Sequence, residues 1–227
     1  MFILDKNVRF RKLPEDIQRH LIADDASNED KWAMLICIIV FLDLICAIPL
    51  LINRETIFTI IALPFTIGIN LWTVIIMFTK TSKLSVFHFV LYKGGTGLVL
   101  SFCYFVLSQK YAYSVLGSNP LYIMSSLLTY IIVILGFIRY YLITLPNSDR
   151  KKKHNHAWGT YLLTIGPGAG YITAQIIFQF SDSVVDLFMS YIYLLIACLI
   201  SYVGVKFIFI HQYFFIKANQ DIIDQKQ

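Results

Sequence analysis

Residues 33–52 read AMLICIIVFLDLICAIPLLI, twenty positions that carry a single charge, Asp43. Coiled as a helix at about 1.5 Å per residue, they reach about 30 Å, the thickness of a bilayer's hydrocarbon core. Five further runs of the same character follow at 57–79, 84–108, 121–144, 157–180 and 187–210. Each is continuously apolar, unlike the roughly ten-residue alternating segments of an outer-membrane barrel. The six runs fill well over half of the 227 residues, so the connections are too short for a separate soluble domain. The expected fold is all-α: a polytopic integral membrane protein with six transmembrane helices. The expected divisions are a tail at 1–31, a membrane domain at 32–210 and a tail at 211–227.

Composition leads to the same class. Hydrophobic side chains make up 57% of the chain and charged ones 15%, and the mean hydropathy is +0.66. An ordinary soluble domain has about 45–50% apolar and about 25% charged residues. A water-soluble fold of this size could not hide so much apolar surface. Low charge, 17 Gly and Pro together and only four Cys exclude disordered, collagen-like and disulfide-framework chains.

Lys and Arg set the expected orientation, because cytoplasmic loops are enriched in them. Six lie in the N-terminal tail, and Lys80 and Lys83 follow helix 2. Arg150 to Lys153 lie in the 146–156 loop, and Lys217 and Lys226 in the last segment. The opposite side has Arg54 and Lys110 alone, while Lys93, Arg139 and Lys206 fall within helices. Both termini are therefore expected on the cytoplasmic face. Trp32 and Trp158 fall at the expected inner interface, and Trp72 lies within two turns of it. No apolar signal-peptide core precedes Trp32, so the tail is expected to be retained. Within it, Pro14 suits a first helical turn, and Leu13, Ile17, Leu21 and Ile22 recur at helical spacing, which predicts a short amphipathic helix on the inner surface.

Charges inside hydrocarbon are costly and mark sites. Asp43 lies ten residues into helix 1 and Lys93 nine residues into helix 3, about 15 Å and about 13–14 Å from the inner end. Their matched depth predicts a buried ion pair or ligand site, more readily a helix-pinning bridge than a proton or ion relay. Arg139 and Lys206, near the inner ends of helices 4 and 6, are expected to extend their charges to the headgroups. Gly166, Pro167, Gly168 and Gly170 predict either a break in helix 5 that exposes backbone oxygen, or a small-xxx-small spacing for close helix packing.

Catalytic motifs are absent from the sequence: no zinc-binding His-Glu-x-x-His, nucleophile elbow or phosphate loop occurs. Cys37, Cys46, Cys103 and Cys198 all fall in apolar runs, where thiols act as small apolar side chains. His154 and His156 make a poor metal site without nearby acids or thiols, and their basic loop suits anionic headgroups. No metal, cofactor or nucleic-acid partner is expected. A bilayer is the expected partner, together with another membrane protein or a second copy of the chain. The expectation is a non-enzymatic accessory, export-associated or toxin-immunity component. A small transporter or channel is the alternative, and an intramembrane enzyme a remoter one. Abundant Ile, Phe, Tyr, Lys and Asn suit an AT-rich bacterial genome, hence a bacterial cytoplasmic membrane.

Overall fold

The computed structural model describes residues 27–52, 55–81, 84, 86–140, 175–177 and 179–206. Among them helix predominates and no strand occurs. Five helices are long and apolar enough to cross a bilayer, consistent with an integral membrane protein: α1 Asn28–Ile52, α2 Thr56–Phe78, α3 Val86–Leu116, α4 Pro120–Arg139 and α5 Asp182–Gly204. The 13–22 amphipathic segment, residues 157–174 of the fifth run with its glycines, the 150–156 loop and the 211–227 tail lie outside the described residues.

Local sequence sets the helix ends. Ser27 and Asp30 form a capping box: the Ser27 hydroxyl accepts from the Asp30 amide at 3.0 Å, and the Asp30 carboxylate accepts from the Ser27 amide at 3.3 Å. Gly117, with φ +60°, closes α3 in the left-handed conformation that favours glycine, and its amide donates to the Tyr113 carbonyl at 2.9 Å. Two residues later Asn119 caps α4 through its side chain, and Pro120 occupies the first turn. In α1, residues Ile38–Ala47 wind as a π-helix, with the Ile48 amide donating to the Asp43 carbonyl. The widened winding ends at Ala47, and ordinary α-helix resumes over Ile48–Ile52, where Pro49 has no amide hydrogen to donate back to the preceding turn.

The contacts fix directions. Asp30 meets Lys93, the Phe41 carbonyl meets Tyr104 and the Pro49 carbonyl meets Lys110, so α1 and α3 run parallel. Thr73 meets Tyr92, and Phe58 meets Tyr113, so α2 opposes α3. Gln109 meets Ser126, and Ser108 meets Ser190, so α4 and α5 oppose α3 as well. It follows that α4 and α5 are parallel, as Tyr122 beside Ser190 and Phe137 beside Tyr202 also require.

The central element is α3, the most buried of the five, and α5 packs against it most extensively. That closeness depends on glycine: a Cβ on Gly97 would sit 2.7 Å from the Gly204 backbone nitrogen. Tyr92, Cys103, Tyr104 and Leu107 of α3 join Ile38, Leu42 and Cys46 of α1 and Ala197 of α5 in the core. Ile36, Leu51, Ile60, Leu71, Met124, Leu128, Leu195 and Leu199 face outward, as hydrocarbon-facing side chains do.

Candidate functional site

The ionisable side chains within the helices are the natural candidates, and the structure separates the expected pair. Lys93 Nζ lies 3.7 Å from Asp30 Oδ1 and 4.5 Å from the centre of the Phe89 ring. Asp43 accepts instead from Asn70 Nδ2 of α2 at 2.9 Å. The depth matching of Asp43 with Lys93 is therefore corrected. Helix α1 begins five residues before the apolar run and α3 two residues after its run, which places Asp43 fifteen residues along its helix and Lys93 seven. Since Lys93 meets Asp30, it stands thirteen residues before Asp43 along α1, roughly 20 Å of helix.

Exchanging the charges of Asp43 and Lys93 together is accordingly expected to give no rescue over either single reversal, measured as folded protein recovered from membranes. Lys93→Met is expected to cost less than about 1 kcal/mol of unfolding free energy, because both members of its true pair are partly solvated, at 26% and 44% exposure.

Two lysines unremarked as site residues do more. Lys110, placed by its sequence on the outer loop, belongs to α3 and is only 2% exposed. Its Nζ donates to the Pro49 carbonyl at 3.1 Å and to the Leu50 carbonyl at 2.5 Å. The Thr59 hydroxyl of α2 donates to the same Leu50 carbonyl. The last carbonyls of a helix have no partners within it and carry its negative dipole end. A cation from α3 and a hydroxyl from α2 thus cap α1 together. At the other end of the bundle Lys31, 4% exposed, donates to the Thr79 carbonyl just past α2 at 2.5 Å. Each end therefore has one buried lysine closing a neighbour's helix terminus.

A seam of hydroxyls joins α3, α4 and α5. Ser101 Oγ donates to the Ala197 carbonyl at 2.7 Å and meets the Tyr130 hydroxyl at 2.8 Å. Ser190 donates to the Ser108 carbonyl at 2.8 Å, and the Tyr122 hydroxyl meets Ser190 Oγ at 2.5 Å. Nearer the surface, Ser114 donates to Asp186 Oδ2 at 2.8 Å. In an apolar surrounding an unpaired hydroxyl is expensive, so these bonds select one register of the three helices. The sequence signal is the seven-residue spacing of Ser101 and Ser108 in the 84–108 run, with Gln109 just past it; it singles out no site because serine hydroxyls bond helix backbone as readily as one another.

Cys46 and Cys103 are free and fully buried, and Cys103 Sγ lies 3.6 Å from Thr66 Oγ1. Among the described residues no group of three or more His, Cys, Asp or Glu side chains is placed to hold a metal ion. Gly166, Pro167, Gly168 and Gly170 fall outside the described residues.

Comparison with protein families, curated proteins and solved structures finds no match to the chain. The chemistry that can be read is that of the site itself: cations and hydroxyls fastening one helix to the next.

Proposed function

We propose that the chain is a non-enzymatic membrane component, of the accessory, export-associated or toxin-immunity kind. It acts as a fixed helical body in a bacterial cytoplasmic membrane, against which another membrane protein or a second copy assembles. The observation that carries this reading is Lys110. A buried cation in a transport or catalytic site must remain able to exchange partners, whereas this one is held by two carbonyls of a neighbouring helix. Lys31 and the Ser101, Ser108 and Ser190 bonds are committed to neighbouring helices in the same way.

A sixth crossing and cytoplasmic termini belong to this proposal. The parallel course of α4 and α5 supports the sixth crossing, because α4 finishes at the end of the bundle opposite the one where α5 starts. The excess of Lys and Arg on one side supports the orientation. Accessibility tags at the two ends are expected to react from the same face; labelling from opposite faces overturns the topology.

A transporter is the second reading, favoured by the Asp43–Asn70 bond beside the π-helical stretch of α1, a geometry common at functional sites. Purified protein in liposomes separates the two. The fixed-body reading expects proton and cation flux no greater than in empty vesicles, and no change with Asp43→Asn. Flux in the wild type that Asp43→Asn abolishes establishes the transporter instead.

A further inference from the structure

Where α3 finishes and α2 and α4 begin, a partly open cavity of about 100 Å³ lies between the three helices. Phe58 of α2, Gln109, Ala112 and Tyr113 of α3, and Tyr122 and Ile123 of α4 line it. Phe58 and Tyr113 meet edge to face with centroids 5.7 Å apart. Tyr122 has its hydroxyl engaged by Ser190, which leaves its ring as wall.

Gln109 supplies the amide of the lining and is nine-tenths buried. Its bonds go to one residue: Nε2 donates to Ser126 Oγ at 3.0 Å, and Oε1 lies 3.3 Å from the same hydroxyl, whose one hydrogen also has the Ile123 carbonyl within reach at 3.0 Å. A primary amide has two N–H donors and an oxygen with two lone pairs, so one donor and one acceptor position remain. In a mostly apolar pocket a single amide of this kind fixes the orientation of a ligand.

We propose that this cavity binds a small monocyclic aromatic alcohol, its ring against Phe58, Tyr113 and Tyr122 and its hydroxyl bonded to Gln109. Three aromatic rings offer edges and faces that a flat ring matches better than a flexible chain does. An enclosed apolar cavity of about 150 Å³ takes benzene, and here the open side supplies the remaining space. Water is a poorer occupant: about three molecules would fit, each needing two to four polar partners, and Gln109 is the main one offered. A lipid acyl chain would leave the amide unused. The inference is independent of the proposed function, since it requires only the folded bundle.

The test uses the full chain in lipid nanodiscs with 4-fluorophenol followed by fluorine NMR. A bound resonance distinct from that of bilayer-partitioned probe is expected, displaced by phenol about tenfold more effectively than by benzene. Ala112→Leu, which fills the cavity, is expected to abolish the bound resonance. Gln109→Leu, which keeps the volume and removes the amide, is expected to keep a weaker resonance that phenol and benzene displace about equally. Absence of a bound resonance in the wild type, its persistence in Ala112→Leu, or equal displacement by phenol and benzene in the wild type overturns the proposal.

Discussion

Lys110→Glu is expected to yield almost no folded protein, and Lys110→Met to yield protein whose unfolding free energy is lower by about 2–3 kcal/mol. Both follow from what the ammonium touches. Lys110 Nζ is buried against the Pro49 and Leu50 carbonyls at the C-terminal end of α1. Methionine keeps most of the apolar stem but leaves the Pro49 carbonyl without this donor, and an unsatisfied buried acceptor costs about 1–3 kcal/mol. Loss of a favourable charge at the helix dipole adds up to about 1 kcal/mol. Glutamate places a second negative group among those carbonyls, which no local rearrangement of a buried side chain relieves.

Thr59 sharpens the test because its hydroxyl donates to the same Leu50 carbonyl. Thr59→Val alone is expected to cost about 1 kcal/mol. The double variant is expected to lose more than the sum of the singles, since the first replacement still leaves Leu50 one donor and the second removes it. Thermal unfolding in detergent, read by tryptophan fluorescence, measures all three. Additive losses would show that the two donors do not share an acceptor in solution.

The same lysine explains where sequence reading of the fold stops. Helix α2 was legible almost to the residue, because its apolar run is bounded by Glu55 and Lys80. The C-terminal end of α3 was not, since Ser108, Gln109 and Lys110 in succession resemble a segment leaving the membrane. Each instead bonds inside the bundle: Ser108 to Ser190, Gln109 to Ser126 and Lys110 to α1. The sharper signal was seven residues past Lys110, where Gly117 and Asn119-Pro120 hold the turn-forming chemistry that ends one helix and starts the next. The candidate site failed for a related reason. Depth counted along a sequence requires correct helix ends and a uniform rise, and α1 has an extended start and a π-helical middle. Asp43 bonds to Asn70 instead, a neutral amide that charge counting passes over.

Gly97→Val is expected to be the most damaging change on the α3–α5 face, with a loss of about 3 kcal/mol or more. A Cβ at residue 97 would lie 2.7 Å from the Gly204 nitrogen and 3.1 Å from its Cα, so the obstruction is backbone, which cannot swing aside. The two helices must separate, and separation weakens the bonds that follow the contact along α3: Ser101 to the Ala197 carbonyl, and Ser190 to the Ser108 carbonyl. Overpacking alone costs about 1–3 kcal/mol, and stretched bonds in an apolar interior add to it. Gly97→Ala meets the same atoms and is expected to lose about 2 kcal/mol, although alanine is the better helix former. Gly68 of α2 supplies the control: nothing lies within 4 Å of a Cβ there, so Gly68→Ala is expected to match or exceed the wild type by up to about 1 kcal/mol. A cysteine pair at Ser101 and Ala197 reports the separation directly. Its oxidative crosslinking is expected to be efficient in the otherwise unaltered chain and several-fold slower when Gly97→Val is added, while equal crosslinking in both would mean that the helices never met as closely as the glycines allow.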